Sequence, residues 1–328
     1  QRKKIPVGYD GHCRTMSPEE VKKRIATGEK YVIRMKMPQE GETSFFDLVR
    51  GEVKFENKLI DDQVIIKSDG FPTYHLAVVV DDHLMGITHV TRAEEWLPST
   101  PKHIQLYKYF NWEIPQFAHL PQLVNKDRTK LSKRQGVVAV EDYIKKGYLA
   151  EAMVNFVAFL GWNPGTEKEI YSLAELIEDF SLEKVGKSGS YFNLEKLDWY
   201  NREYLKMLSS EEIAKRSQNY FIQSDWWQDD FAKKLPAAIS LEKERITTLS
   251  ELPQALKFIF VRPEYQKNIL IWKKSNSEEI RKTLIELMDF LNTFSVQNWN
   301  KEIIQNKVGE WIREKEHSNG IVLWPMRV

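Results

Sequence analysis

Apolar and polar residues alternate along two segments near the start of the chain, KYVIRMKM at 30–37 and GEVKFE at 51–56. A period of two is typical of a β-strand with one buried face. Gly41, Gly51 and Gly70 divide this region into short pieces, which favours tight turns between strands. The pattern predicts a small mixed module over residues 1–72.

Helical and extended patterns alternate in the segment that follows. Pro72 can open a helix that carries Tyr74–Val80, and Gly86 can close the turn before the extended run ITHVTR. The segment STPKHIQLYKYF has Ser99 or Thr100 as a helix N-cap, and FAHLPQLV is extended again. The order helix, strand, helix, strand predicts a parallel α/β layer.

Beyond Val140 the apolar spacing becomes almost wholly helical, beginning with LAEAMVNFVAFLG, which ends at Gly161. N-cap residues precede three further helical patterns: Ser172, Ser209, and Ser275 or Asn276. Glu175 completes a capping box with Ser172, and Glu212 is similarly placed after Ser209. One face of the helix after Asn276 is predicted from its apolar residues: Ile280, Leu284, Leu287, Met288 and Leu291. The overall prediction is an α/β region followed by an all-α region.

Composition narrows the class of protein. The 328 residues are 42% apolar, enough to fill the cores of two or three domains. No apolar run approaches the roughly 20 residues that span a bilayer, and QRKKIPVGYDG lacks the apolar stretch of a secretory signal, so we predict a cytoplasmic protein. The single Cys13 excludes an internal disulfide and a four-cysteine zinc site.

A basic cluster stands out because the formal net charge of the chain is only +1. Five cations lie within nine residues of NKDRTKLSKRQG: Lys126, Arg128, Lys130, Lys133 and Arg134. Such a local field attracts anions, and cations on a loop can neutralise the charge that develops in a phosphoryl or nucleotidyl transition state. The simpler interpretation is a solvated basic loop, since short basic motifs recur by accident.

Histidines and aspartates also cluster upstream of this loop: His75, His83, His89, Asp81 and Asp82. Their spacing supplies no i, i+4 ligand pair on one helix, so we predict no metal site from them. One cysteine and scattered serines likewise give no support to a nucleophile triad.

Two long motifs, with two supporting segments, then decide between the two interpretations of the basic loop. YDGHCR, PTYHLAVVVDDHLMGITHVTRAEEWLPSTPKH, NKDRTKLSKR and GSYFNLEKLDWYNREYL occur in this order, and together they resemble bacterial-type glutamyl-tRNA synthetase, a class I aminoacyl-tRNA synthetase. The resemblance covers essentially the whole chain. It implies the second half of a Rossmann-like nucleotide-binding domain with a connective module, followed by an α-helical anticodon-binding domain. The implied domains are 1–72 (remainder of the connective, acceptor-binding module), 73–208 (catalytic half with the lysine loop and stem-contact region) and 209–328 (anticodon-binding domain, truncated).

The same resemblance implies the residues of a site. The second class I motif corresponds to the ATP-binding residues Lys130, Leu131, Ser132, Lys133 and Arg134, with Lys133 and Lys130 catalytic. Backbone groups of Gln122 and Leu123 would hold the adenine, and Tyr74 with Arg92 would bind glutamate. A guanidinium offers a bidentate fork to a carboxylate, which favours glutamate over its amide. Arg245 lies near where the family contacts the anticodon of tRNA.

The implied activity is ATP-dependent formation of glutamyl-adenylate and transfer of glutamate to the 3′ end of tRNA(Glu), by a cytoplasmic monomer. Mg²⁺ would arrive with ATP, held chiefly by phosphate oxygens. No protein-bound zinc is expected. The resemblance leaves open whether tRNA(Gln) is charged as well.

The first class I motif, H-I-G-H or a near variant, does not occur in the 328 residues. We therefore expect a fragment of a longer enzyme, without the part that carries this motif and without the extreme C-terminus, and inactive alone. A catalytically inactive tRNA-binding module is the alternative. Glutaminyl-tRNA synthetase is disfavoured, because its C-terminal domains in the eukaryotic-like family are β-barrels whereas this C-terminal pattern is helical.

Overall fold

The computed structural model describes residues 8–131, 139–273 and 275–328. Its contacts divide the chain into two compact units, Gln1–Leu256 and Lys257–Val328. In the parts of the chain that are described, no helix is both long and apolar enough to cross a membrane. The predicted domain boundaries at 72/73 and 208/209 stay predictions.

The first unit begins with a helix and four short strands: α1 (Pro18–Ala26), β1 (Ile33–Arg34), β2 (Glu42–Asp47), β3 (Gly51–Glu56) and β4 (Val64–Ile66). Strands β1 and β4 pair antiparallel, as do β2 and β3. Both segments with alternating apolar residues thus contain a strand, as predicted, although β1 is only two residues long. Met35 and Met37, which follow β1, pack in a buried cluster with Val79 and Leu106.

The predicted α/β layer follows: α2 (Tyr74–Leu84), β5 (His89–Ala93), α3 (Thr100–Phe110) and β6 (Gln116–Leu120). These strands complete a four-stranded sheet in the order β3-β2-β6-β5, in which β6 is parallel to β5 and to β2. Helix α2 begins after Thr73, so Pro72 lies just outside it, and the chain reverses at Gly86 with φ 68°. The prediction of a parallel α/β layer is confirmed.

A buried polar contact fixes β6 beside β2 and the start of α3. The His119 Nδ1 atom of β6 lies 2.6 Å from Asp47 Oδ2 at the end of β2, and its Nε2 atom lies 3.0 Å from the Thr100 hydroxyl. All three side chains are fully buried. Because buried polar groups are costly without partners, this network sets the relative positions of the three elements.

The rest of the first unit is largely helical: α4 (Val140–Lys145), α5 (Ala150–Ala158), α6 (Leu173–Asp179), α7 (Leu194–Met207), α8 (Ser210–Ile222), α9 (Leu235–Glu242) and α10 (Leu252–Phe260), which runs past Leu256. Two short strands, β7 (Leu123–Val124) and β8 (Ser190–Tyr191), pair in parallel. Ser172 and Glu175 form the predicted capping box, and Ser209 caps α8. Position 147 requires glycine, because its φ is 81° and a Cβ there would lie 2.7 Å from Ser250 N.

The second unit contains α11 (Ser277–Leu291), α12 (Lys301–Glu314) and α13 (Asn319–Arg327). Asn276 caps α11, one of the two predicted cap residues. Four residues of the predicted face are buried or partly buried: Ile280, Leu284, Leu287 and Leu291. The inclusion of Met288 was wrong, because its side chain is 55% exposed and Thr283 is buried instead. The helix packs through Leu287 against Val308 and Trp311 of α12, which turns Met288 away from the core.

Candidate functional site

Of the predicted site residues that the structure describes, all but Arg245 gather at one edge of the four-stranded sheet. Arg92 is next to the last residue of β5, and Gln122 follows the end of β6 by two residues. Since β5 and β6 are parallel, their carboxyl ends lie side by side. Ligands of open α/β sheets bind outside the carboxyl ends of the strands, so this edge is the candidate functional site.

Tyr74 and Arg92, the two residues predicted to bind glutamate, both lie beside Trp96. The rings of Tyr74 and Trp96 are 4.9 Å apart between centroids, and the Arg92 guanidinium carbon lies 5.9 Å from the Trp96 ring centre. Tyr74 is the first residue of α2 and is 50% exposed. The structure therefore brings together an aromatic wall and a guanidinium on an accessible surface.

Two histidines connect Arg92 to the interior. The Arg92 Nη1 atom lies 3.2 Å from Nδ1 of His103, whose Nε2 atom lies 3.0 Å from Nδ1 of His75. His103 belongs to α3 and is 1% exposed. Burial and the neighbouring Arg92 charge lower the pKa of His103 to about 3. Burial, with Lys102 and Arg92, also lowers the pKa of His75. Both imidazoles are therefore neutral at physiological pH.

We expect the buried, neutral His103 to make the free energy of unfolding depend on pH. Unfolded, His103 titrates near pH 6.5, whereas folded it resists protonation down to about pH 3. The unfolded state therefore binds more protons between these values. The contribution of His103 to the stability of the protein is complete above about pH 6.5 and is lost as the pH falls through this range. We expect urea unfolding at pH 5 to show about 2 kcal/mol less stability than at pH 7 from His103 alone.

The His103→Asn variant serves as the comparison for this measurement, because it lacks the titrating group. Its unfolding free energy should fall less between pH 7 and pH 5 than that of the wild type. Parallel pH profiles for the two proteins would contradict the buried, neutral state of His103.

A second group of side chains lies in the loops after β5 and β6. Glu95 Oε2 accepts a hydrogen bond from Gln122 Nε2 at 3.2 Å and forms an ion pair with Nζ of Lys130. Glu94, beside it, pairs with Arg50, which ties the loop after β5 to the turn between β2 and β3. The chain thus presents a lysine and a carboxylate next to the Gln122 amide.

The start of the basic cluster forms an ordered turn. Asn125 N donates to Thr129 O at 2.8 Å, and the Asp127 carboxylate accepts hydrogen bonds from the Thr129 backbone and hydroxyl. Leu131 N then donates to Leu123 O at 2.9 Å, which returns the chain to β7. As far as Leu131, the segment is a hydrogen-bonded hairpin rather than the loop that was expected. Ser132, Lys133 and Arg134 lie outside the described residues.

The two residues predicted to hold adenine both use their carbonyl groups within the protein. Gln122 O accepts a hydrogen bond from Ser190 N at 2.9 Å, and Leu123 O accepts the one from Leu131 N. A carbonyl oxygen has two lone pairs, so a further donor can still bind there. The arrangement holds this backbone firmly beside Glu95 and Lys130.

Arg245, the predicted tRNA contact, lies in the turn after α9. Its side chain is exposed and pairs with Glu242, with Nη1 2.9 Å from Oε1. The Arg245 side chain is 76% exposed and that of Glu242 only 13%, so the cation is the solvent-facing partner of this pair.

The histidines considered as metal ligands have other partners. His83 stacks on Trp112 with 3.9 Å between ring centroids, His89 Nδ1 lies 2.9 Å from the Thr88 hydroxyl, and His75 contacts His103. Over the described ranges, no group of three His, Cys, Asp or Glu side chains is arranged to hold a metal ion.

Sequence reasoning did not identify three residues of this edge: Glu95, Trp96 and His103. Glu95 and Trp96 lie within the quoted motif RAEEW, three and four residues after Arg92, and that closeness was the available signal. His103 is the last residue of the quoted motif ending STPKH, yet nothing local shows that its ring turns inward to Arg92. Only the packing of α3 against β5 and α2 brings it there.

Comparisons with known proteins agree with this arrangement. Residues 1–199 match the family model of the catalytic domain of class I tRNA synthetases (E and Q), and residues 202–328 match that of an anticodon binding domain. The glutamate–tRNA ligase of Chloroherpeton thalassium is 45% identical over 339 aligned positions, which include 100% of this chain and 66% of that protein. The enzyme of the same name from Fusobacterium nucleatum is 44% identical over 89% of this chain and 59% of its own length. This chain thus spans about two thirds or less of these relatives.

A solved structure has the same fold. The crystal structure of a glutamate tRNA ligase from Elizabethkingia meningosepticum in complex with its amino acid superposes with a TM-score of 0.82 and 34% identity, over 98% of this chain and 67% of that one. A glutamate–tRNA synthetase from Elizabethkingia anophelis gives a TM-score of 0.79 at the same identity. Catalytic and anticodon-binding models together match nearly the whole sequence, and the chain therefore belongs to the class I tRNA synthetases (E and Q).

Proposed function

We propose that this chain carries the amino-acid pocket and the lysine loop of a glutamate–tRNA ligase. Arg92, at the carboxyl end of β5, and Tyr74, at the start of α2, both lie beside the ring of Trp96, and this is the observation that carries the proposal. The reaction joins the carboxylate of glutamate to the α-phosphorus of ATP with release of pyrophosphate. The terminal adenosine of tRNA then accepts the glutamyl group.

The amino-acid pocket suits an acidic side chain. A guanidinium is permanently charged and binds a carboxylate through two parallel hydrogen bonds. Across residues 8–131, 139–273 and 275–328, His103 is the one hydrogen-bond partner of the Arg92 side chain, so other N–H groups of its fork remain for a ligand. The Tyr74 and Trp96 rings supply an apolar wall, which strengthens the ion pair by excluding water.

The second group of side chains suits ATP. The Lys130–Glu95 ion pair is exposed on both sides and therefore contributes at most about 1 kcal/mol. A triphosphate carries more charge than one carboxylate and would draw Lys130 away from Glu95. Lys133 and Arg134, together with Ser132 and Leu131, would add contacts to the phosphates, and Mg²⁺ would bind chiefly to phosphate oxygens. Gln122 and Leu123 would hold the adenine.

The tRNA would extend from this edge to the helical part of the chain, where Arg245 is a candidate contact. We also propose that the protein acts in the cytoplasm as a monomer. The relatives are named for glutamate and support tRNA(Glu) as the substrate. Whether tRNA(Gln) is also charged is a question for the same assay.

The test is ATP–pyrophosphate exchange by the protein as the cell makes it, with tRNA present throughout. We expect exchange with glutamate and at least about 10³-fold less with glutamine at equal concentration, because an amide cannot replace the carboxylate opposite Arg92. Aspartate is the matched control, since it keeps the charge but is one methylene shorter. Aminoacylation of tRNA(Glu) and tRNA(Gln) completes the assay.

Two outcomes would contradict the proposal. Equal exchange with glutamine and glutamate would remove Arg92 from the role of selecting a carboxylate. Binding of tRNA without exchange for any amino acid would favour the inactive tRNA-binding module instead.

A further inference from the structure

The direction of each hydrogen bond around Arg92 follows from the chemistry of its partners. A guanidinium only donates, so His103 Nδ1, 3.2 Å from Arg92 Nη1, has to accept. A neutral His103 then carries its proton on Nε2 and donates to His75 Nδ1 at 3.0 Å. His75 in turn carries its proton on Nε2. A protonated His103 would have donors at both ring nitrogens, so Nδ1 could no longer accept from Arg92, whereas Nε2 could still donate to His75.

We propose that His103 is a positioning residue for Arg92: its neutral imidazole holds one N–H of the guanidinium and aims the rest of the fork at the side-chain carboxylate of the amino acid. His75 fixes the ring of His103 from the other side. This inference rests on the proposed function, because it assigns His103 a role in the same amino-acid pocket.

A neutral acceptor suits this position better than an acidic one. A carboxylate in place of His103 would pair with Arg92 and offset the charge that the substrate needs. Imidazole orients the guanidinium without adding a counter-charge of its own. The exposed side of Arg92 is thus open to an anion, while its buried side is held by an uncharged group.

The surroundings keep His103 uncharged. Four groups face it: Arg92 on β5, His75 on α2, Lys102 on its own helix and His119 on β6. Each of them is cationic or becomes so on protonation, and each disfavours a second positive charge. The Asp82 carboxylate of α2 acts on Arg92 rather than on His103. Position and neutrality of His103 are therefore both built into the packing of α2, α3 and β5.

Two conservative variants separate positioning from packing, because the two ring nitrogens have different partners. In His103→Asn the amide oxygen takes the place of Nδ1 and can still accept from Arg92. In His103→Gln the amide reaches the place of Nε2 and leaves Arg92 without an acceptor. Both variants keep a polar amide in the same buried space, so each is the matched control of the other.

The measurement is the KM for glutamate and for ATP in pyrophosphate exchange by the protein as the cell makes it, with tRNA present. For His103→Gln we expect a rise of about 10–100-fold in the KM for glutamate, the loss of one hydrogen bond to a charged group. His103→Asn should restore it to within about threefold of wild type, and the KM for ATP should change little in either. If both variants changed the KM for glutamate equally, or if the KM for glutamate and the KM for ATP changed in parallel, His103 would act only through packing. Either result would overturn the inference.

A second measurement needs no activity. Nitrogen-15 NMR of labelled histidine should show His103 protonated at Nε2, with a hydrogen-bonded acceptor at Nδ1 whose resonance moves in Arg92→Leu. A proton on Nδ1, or a resonance indifferent to Arg92→Leu, overturns the inference even when a His103 variant fails to fold. If Arg92→Leu raises the KM for glutamate but neither His103 variant does, only the inference fails. If Arg92→Leu leaves it unchanged, the proposed function fails and the inference with it.

Discussion

Replacing Arg92 by leucine is expected to raise the KM for glutamate by about 10²–10³-fold in pyrophosphate exchange. The substitution leaves a substrate carboxylate buried against Trp96 without its counter-charge, a change that costs roughly 3–4 kcal/mol. The KM for ATP should stay within a few-fold, because Lys130 and Glu95 belong to the other group of side chains. The loss should therefore appear in the use of the amino acid and not of the nucleotide.

Arg216→Leu is the matched control for this variant. Arg216 forms ion pairs with Glu212 and Glu151 on helices away from the β5 and β6 loops, and it is likewise partly exposed. The same change of charge and size there should leave both Michaelis constants near the wild-type values. Glutamate kinetics that are unchanged in Arg92→Leu, or changed equally in Arg216→Leu, would remove Arg92 from the pocket.

Replacing Lys133 by alanine is expected to lower kcat of pyrophosphate exchange by about 10²–10³-fold, the usual effect of removing one group that stabilises developing charge. Binding of tRNA should weaken much less, since many contacts share that work. The prediction comes from the motif TKLSKR and from the ordered turn that ends at Leu131, two residues before Lys133 in the sequence. Exchange rates and tRNA affinity measured on one preparation test it.

Lys126→Ala provides the comparison within the same basic stretch. Lys126 is exposed and lies outside the motif that begins at Lys130, so its loss removes one positive charge but no predicted phosphate contact. If the basic stretch acted only through its total positive charge, Lys126→Ala and Lys133→Ala would lower exchange equally. A specific contact of Lys133 with phosphate predicts a large loss of exchange in Lys133→Ala alone. Comparable losses of exchange and tRNA binding in Lys133→Ala would also contradict the phosphate role.

Local patterns predicted much of the fold because local physics decides helix ends. The capping box of Ser172 and Glu175 and the cap at Ser209 are formed by side chains three residues from the N–H groups they satisfy. The same holds for the turn at Gly86, where a positive φ favours glycine. Met288 shows the limit, because which side of a broad apolar face is buried depends on the neighbouring helices.

The candidate site was less accessible to sequence reasoning. Tyr74 and Arg92 were named from motifs, and the structure brings them to one tryptophan. Glu95 and His103 were missed because their roles depend on partners 35 and 28 residues away, Lys130 and His75. Spacing along the chain carries no information about such pairs.

The sequence by itself determined the order of the elements, the parallel α/β layer, the helical remainder and the family, because each of these depends on residues within a few positions or on long matched motifs. Only the tertiary structure decided which side chains surround Arg92. Burial of His103 between α2, α3 and β5 fixes its protonation and its hydrogen bonds, and burial is a property of the packed chain, to which segments far apart in sequence contribute together.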